Sequence, residues 1–322
     1  MNTPHQEHSS TYYVQDRSNE DELQRLVAQD QMMTASMNGV LAEQTDPARI
    51  HRVLDVACGT GGWLIQLARE YPHIQCEGID ISGKMLEYAR GQAVQHQVQD
   101  RVQFHVMDAL RMLEFPGKHF DLVNLRFGIS FVRTWEWAKM LQEMRRVCKP
   151  EGIIRISDVT SISSNSPTLD YIMLQIGLPA SIRAGLAFGE APDATPKNIA
   201  RLMSEYRFHA IQQVDYPVEY HAGTQQHRLF VEDIRRMLRL APPFWRKWTR
   251  VPQDFEVYYE RTLREIEQPD FVATWPLFTI CARARPSTAE TCAQKEAWTG
   301  MEKAAAPSVP VSRFFFARKP SY

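Results

Sequence analysis

The chain has 322 residues, 44% of them hydrophobic and 23% charged, with 37 Lys plus Arg against 38 Asp plus Glu and a formal net charge of −1. That length suits one large domain or two small ones with a sizeable core, and the charge balance excludes a nucleic-acid protein working through an overall basic surface. No run of 18 apolar residues exists, so no integral membrane segment is expected, and the start MNTPHQEHSS lacks the basic and apolar regions of a secretory signal. The five cysteines (Cys58, Cys76, Cys148, Cys281, Cys292) are scattered without a CxxC pair, and no HExxH occurs. The expectation is a reduced, cytoplasmic protein with no metal site.

Residues 1–17 are polar. Ser18 followed by Asp21 varies the capping-box pattern, and Leu23, Leu26, Val27, Met33 and Met37 recur at helical spacing, predicting a helix over 19–42 with a break near Asn38-Gly39. Alternation then sets in. Strands are predicted at 52–57, 74–79, 102–107, 120–125 and 153–157, with helices at 63–71, 83–97 and 135–148. Strands separated by helices predict a parallel, doubly wound sheet, and runs such as VLDV and FDLV suit strands buried on both faces. Beyond 160, helices are predicted at 168–188 and 195–206 and over 227–267 with a break at Pro242-Pro243, and strands at 208–220 and 272–284. Residues 285–310 read as an Ala/Ser/Thr/Pro-rich linker before a last apolar run, 313–317.

The decisive segment is VLDVACGTGG, 53–62, where a buried strand enters a glycine turn and a helix follows. Such a turn lets a ligand approach the main chain, and the helix N-terminus adds free N–H groups. A dinucleotide site wants a third glycine at position 64; Leu64 stands there. Asp55 disfavours an anion and favours an ammonium-bearing ligand. Asp80, 19 residues after Gly61, can accept from both ribose hydroxyls of an adenosine. Asp108 can accept from an exocyclic amine while Met107 packs on the ring. All three acids fall toward the C-terminal edge of the sheet, where open α/β sheets bind ligands.

Together VLDVACGTGG, the acid of GIDIS, MDA, FDLVNLRFG and CKPEGIIRISD resemble a class I S-adenosylmethionine-dependent methyltransferase, with a texture similar to the ubiquinone/menaquinone-type and secondary-metabolite enzymes. The resemblance is strong over 45–160 and weak elsewhere. It implies a Rossmann-like α/β fold with seven strands, closed by an antiparallel hairpin; of the two segments that compete for the last strand, the longer apolar run 272–284 is expected to take it rather than 311–318. It implies a helical cap at 1–45, a cofactor-binding core at 46–160, acceptor-side helices and closing strands at 161–286, and a tail or added edge strand at 287–322. Asp55, Ala57, Gly59 and Gly61 would lie against the methionine part of S-adenosyl-L-methionine. Asp80 would bind the ribose and Ile81 flank the adenine. Asp108 would bind the adenine amine beside Met107 and Ala109, Arg126 would offer its backbone, and Tyr12 or Tyr13 would close over the site with the first helix. One departure is Glu151 where the family commonly has glycine.

Other residues have two readings. Cys58 reads as a small buried filler rather than a nucleophile. Asp158 is a candidate general base for a hydroxyl acceptor or a carboxylate capping the next helix. Phe127, Phe131, Trp135 and Trp137 line an apolar acceptor pocket or belong to the core. The basic and aromatic stretch 235–250 reads as a solvated helix with buried aromatics. The expected function is methyl transfer to a small organic acceptor, O-, C- or N-linked, with no nucleic-acid partner and a homodimer left open. The alternatives are a cofactor-binding regulatory or assembly protein, and a protein or nucleic-acid methyltransferase. The latter is disfavoured by net charge and by Asn124-Leu-Arg-Phe where an N-P-P-Y-type motif would stand.

Overall fold

Helix α1 (Glu20–Ser36) opens the described residues, which run from 20 to 285 in the computed structural model. It stops earlier than 42 because Asn38 and Gly39 adopt φ of 59° and 122°. Gly39 N–H donates to Thr34 O and Asn38 N–H to Ala35 O, each at 3.2 Å. This pair of bonds ends a helix on a left-handed residue, which Asn reaches at lower cost than most side chains. Ser18, Tyr12, Tyr13, Cys292 and the segments 287–322 and 311–318 lie outside the described residues.

The chain then alternates through β1 (Arg52–Val56), α2 (Gly62–Glu70), β2 (Gln75–Asp80), α3 (Gly83–Gln95), β3 (Val102–Val106), β4 (Phe120–Arg126), α4 (Trp137–Val147) and β5 (Cys148–Val159). Next come β6 (Ser163–Ser164), α5 (Pro167–Tyr171), a π-helical turn Ile172–Gly177, α6 (Leu178–Arg183), α7 (Ala194–Glu205), β7 (Phe208–Tyr216) and β8 (Glu219–His221). The described part closes with α8 (Gln225–Leu240), α9 (Pro242–Trp248), α10 (Phe255–Ile266), β9 (Val272–Thr274) and β10 (Leu277–Ala284). Seven strands form one sheet in the order β3-β2-β1-β4-β5-β10-β7. The first five run parallel, and β10 is antiparallel to both β5 and β7. The order reverses between β1 and β4, the switch point at which such sheets bind ligands.

One face of the sheet, with Leu54, Val56 and Val123, packs under Trp137, Met144 and Ile199 from α4 and α7. The other, with Val53, Leu122 and Ile153, is covered by Trp63, Leu64 and Leu86 from α2 and α3 and by Val40 and Ile50. A third cluster joins Met32 and Met33 of α1 to Ile172, Phe230, Trp245 and Tyr259 of the later helices.

Strand β5 is longer than 153–157, because the turn Lys149-Pro-Glu-Gly152 lies inside it as an irregularity. Its register jumps from Phe120↔Cys148 to Leu122↔Ile153. Glu151 takes φ of 61°, whereas a Cβ on Gly152 would meet Cys148 Sγ at 2.6 Å and Lys149 O at 2.9 Å. The turn dispenses with the first family glycine and keeps the second.

The two late strands of the sequence reading are each divided. Residues 208–220 become β7 in the main sheet and β8 in a three-stranded sheet of order β6-β9-β8, and 272–284 become β9 and β10. Pro217 and Pro276 stand in the two breaks, where a residue without an N–H ends a ladder. Trp275 N–H bridges the kink to Val218 O at 3.0 Å, and Thr160 N–H donates to Pro276 O at 2.9 Å. The predicted helix 168–188 is likewise in pieces, its π turn ending at Gly177 where α6 begins with Leu178-Pro179, and 227–267 breaks at 249–254 as well as at Pro242. Among the described residues no helix is long and apolar enough to cross a membrane, and no group of three metal-ligating side chains occurs.

Candidate functional site

The turn between β1 and α2 is built from left-handed residues: Ala57, Gly59 and Gly61 have φ of 56°, 55° and 72°. The two glycines do different work. A Cβ on Gly61 would meet the Phe104 ring at 2.7 Å and Ala89 Cβ at 2.9 Å, so Gly61 lets the turn pack on β3 and α3. A Cβ on Gly59 would meet nothing within 4 Å, leaving that side of the turn open to a ligand. Cys58 is buried, and burial pushes its thiol well above the usual range, as befits a filler.

Asp80 ends β2 and ties the turn to its own strand. Its Oδ2 accepts from Gly59 N–H at 2.9 Å and Oδ1 from Ser82 N–H at 2.8 Å. Ile81, just past it, is 47% exposed, an unusual setting for isoleucine and one that offers an apolar surface beside the carboxylate. Met107 N–H donates to Asp80 O at 2.9 Å, which carries Met107, Asp108 and Ala109 to the same edge. Asp108 Oδ1 accepts from Leu110 N–H at 2.9 Å, and its Oδ2 lies 3.3 Å from Arg111 Nε.

Asp55 is placed differently from these edge acids. It lies one residue inside the end of β1, 2% exposed, on the face beneath α2. Burial raises its pKa to about 6 against the opposing effects of Arg126 and the Asn124 hydrogen bond. Asn124 Nδ2 donates to Asp55 Oδ1 at 2.7 Å, and Arg155 Nη1 donates to Asn124 Oδ1 at 2.9 Å. The three residues are register partners across β1, β4 and β5. Arg155 Nε reaches Glu43 Oε1 at 2.5 Å. Arg126 ends β4 and pairs through its side chain with Asp30 of α1, with Nη1 also 3.3 Å from Thr34 Oγ1. Both guanidinium groups approach the Trp63 ring, Arg126 at 5.9 Å and Arg155 at 5.7 Å from its centre.

The other candidates are not brought to one place. Asp158 is 1% exposed, and burial raises its pKa to about 7. Its Oδ2 accepts from Ile129 N–H at 3.0 Å and its Oδ1 from Val159 N–H at 2.9 Å, so the carboxylate caps the 3₁₀ turn Gly128–Ser130. Phe127 packs on the helical cluster that holds Met32 and Trp245, while Phe131 packs on the α4 side of the sheet. Trp135 is 63% exposed with Arg133 over its ring, and Trp137 is wholly buried. In the 235–250 stretch, Arg235 pairs with Glu267, Arg236 with Glu232, and Phe244 and Trp245 are buried.

A cleft of about 590 Å³ opens beside the turn, between α1, α2 and α3, with Asp30, Thr60, Gly62 and Tyr88 among its walls. Asp55, Asp80 and Asp108 do not line it. Asp30 sits so close to Gly62 that a Cβ there would lie 2.0 Å from Asp30 Oδ2. Sequence reasoning missed Asp30, Glu43, Trp63 and Arg155. A charged residue inside the apolar run GIIRISD was the available signal for Arg155; nothing local marks Asp30 or Glu43.

Residues 53–152 match the family model described as a methyltransferase domain. A demethylmenaquinone methyltransferase of Leptospira interrogans is 32% identical over 114 residues, 35% of this chain and 44% of that protein. The ajmaline N-methyltransferase of Rauvolfia serpentina is 40% identical over 139 residues, 41% of this chain and 46% of that protein. The chain thus spans less than half the length of these curated relatives. Among solved structures, a geranyl diphosphate C-methyltransferase from Streptomyces coelicolor A3(2) covers 73% of this chain and 72% of its own at 15% identity, with a TM-score of 0.41.

Proposed function

We propose that this chain, whose residues 53–152 belong to the methyltransferase domain family, moves a methyl group from S-adenosyl-L-methionine to a small organic acceptor. The observation that carries the reading is the edge of the sheet at its switch point. There Asp80 holds the Gly59 amide, the far side of Gly59 is open, and Ile81 presents an exposed apolar side chain. A ribose diol, a methionine chain and an adenine need a carboxylate, an uncrowded backbone and an apolar flank respectively. On this reading Asp80 takes the ribose hydroxyls and Ile81, Met107 and Ala109 the adenine. Asp108 takes the adenine amine, and Asp55, Ala57, Gly59 and Gly61 serve the methionine end.

The cofactor supplies a methyl on a sulfonium that leaves without acid assistance. What remains for the protein is to align acceptor and methyl and to keep water out. Asp158 is assigned to the turn rather than to proton transfer, since it is buried, unlike Asp80, and its oxygens are taken by backbone N–H groups of that turn and strand. Arg126 is assigned through its side chain as well as its backbone. Phe127 is the aromatic residue of the candidate set that faces the helical side, where residues 161–286 would shape the acceptor pocket. Two relatives are named for demethylmenaquinone and ajmaline, both small organic molecules, and the reading includes no nucleic-acid partner.

The test incubates the full chain with methyl-labelled S-adenosylmethionine and a metabolite extract. Label in a small product is expected. Label only in protein or nucleic acid would overturn the small acceptor, and tight binding without any labelled product would overturn transfer. Sedimentation of the same sample reads whether the chain is a homodimer.

A further inference from the structure

Two arginines flank Asp55 and lower its pKa through their charge, yet neither donates a hydrogen bond to it. Arg155 is 1% exposed and reaches Asp55 only through the amide of Asn124. Arg126 lies at the end of the neighbouring strand β4, and both guanidinium groups act electrostatically on Asp55. A buried guanidinium seeks a carboxylate, because an unpaired buried charge is costly. Asp55, in the same register row as Arg155, is an acid of the sheet that could serve, and pairing with it would cancel the anion. Instead each arginine is held by an acid from outside the sheet. Glu43, in the connection between α1 and β1, takes Arg155 through Nε and Nη2, at 2.5 and 3.4 Å. Asp30, on α1, takes Arg126. Asn124 then presents only a neutral N–H to Asp55. Its orientation is forced: a guanidinium can only donate and so faces Oδ1, which aims Nδ2 at the carboxylate.

We propose that Glu43 and Asp30, brought by the N-terminal segment beside the row Asp55–Asn124–Arg155, are positioning residues that occupy the two arginines flanking Asp55 and so keep its carboxylate available to a ligand's ammonium group. The proposal rests on the reading above that Asp55 faces the methionine end of the cofactor. It gives α1 and its connection an electrostatic task beyond covering the sheet. The site is selective for an α-ammonium because two carboxylates 13 residues apart in the chain satisfy the competing cations.

The full chain is titrated calorimetrically with S-adenosylhomocysteine and with its analogue lacking the α-amino group. The expected wild-type preference for the amine is about tenfold or more, as for a charge-assisted contact. In Glu43→Gln and in Asp30→Asn that preference falls to under threefold, because the freed arginine turns to Asp55. A merely structural role would weaken both ligands equally, and an unchanged ratio in folded variants overturns the proposal. Asp30→Asn, at a carboxylate 16% exposed, carries the test if Glu43→Gln does not fold. Failure of the underlying reading looks different: wild type would show no preference for the amine, and Asp55→Asn would bind both ligands as wild type does.

Discussion

Between Arg52 and Asp108 each element packs on its neighbours in the chain: β1 pairs with β2, β2 with β3, and α2 and α3 cover the face between them. Between residues 160 and 285 the partners are remote. Ser163 pairs with Thr274, Tyr220 with Ala273, and Asp233 of α8 is reached by Arg25 of α1 at 3.0 Å. The first region depends on single residues in special backbone conformations, and an error there is local and steric. The second depends on buried bulk and on paired charges brought from far away, and an error there is global.

The largest expected effect lies within the first region. Gly61→Val puts a branched side chain into the Phe104 ring at φ of 72°, and overpacking plus left-handed strain should cost about 5 kcal/mol. Gly59→Val has the strain without the clash, so a thermal melt should find it folded while calorimetry finds no cofactor binding. Equal stability losses at the two positions would erase the distinction between a packing glycine and a ligand glycine.

Next is the helical region. Trp245→Ala empties a wholly buried site between α9 and Phe255, at a cost of about 4 kcal/mol. Urea unfolding should show the main sheet losing stability in the same transition. A separate, earlier transition would show that residues 160–285 fold apart from the sheet. Smaller again is Asp80→Ala, which should weaken cofactor binding by about 3 kcal/mol through loss of a bidentate acceptor. An unchanged dissociation constant would remove the ribose assignment and leave Asp80 as a clasp for Gly59 and Ser82.

The mildest effect is a slope. Asp158 has its pKa raised to about 7, against 3.8 when exposed. Between those values the folded chain keeps a proton that the unfolded chain has released. Its contribution to stability is therefore full below pH 4 and is lost as pH rises toward 7, at up to about 1.4 kcal/mol per pH unit. Asp55, raised to about 6, acts in the same direction over a narrower window. Asp158→Asn should flatten the wild-type decline measured by urea melts from pH 4.5 to 7.5. Parallel curves for the two proteins would mean that this carboxylate is ionised in the fold.

The alternation from Arg52 to Gly152 was legible because each of its signals is local. Apolar runs mark strands buried on both faces, Asn38-Gly39 marks a helix end, and Gly59 and Gly61 mark a turn no other residue makes cheaply. The edge acids Asp80 and Asp108 were legible for the same reason, Asp80 ending its strand and Asp108 standing two residues past its own. Asp55 was legible as an acid before the glycine turn but not as a buried one, since its depth follows from α2 lying over it.

What only the tertiary structure decided is pairing over distance. Residues 208–220 and 272–284 each read as one strand, and only their mutual antiparallel register places Pro217 and Pro276 at the same level, where the ribbon leaves the main sheet. Asp30 and Glu43 look like ordinary surface acids of a helical segment. They become partners of Arg126 and Arg155 only once α1 and the connection after it lie against strands whose arginines stand 96 and 112 residues further on. Local backbone preference is a property of a few neighbouring residues and can be read from them. The satisfaction of a buried charge is a property of whatever the fold brings beside it.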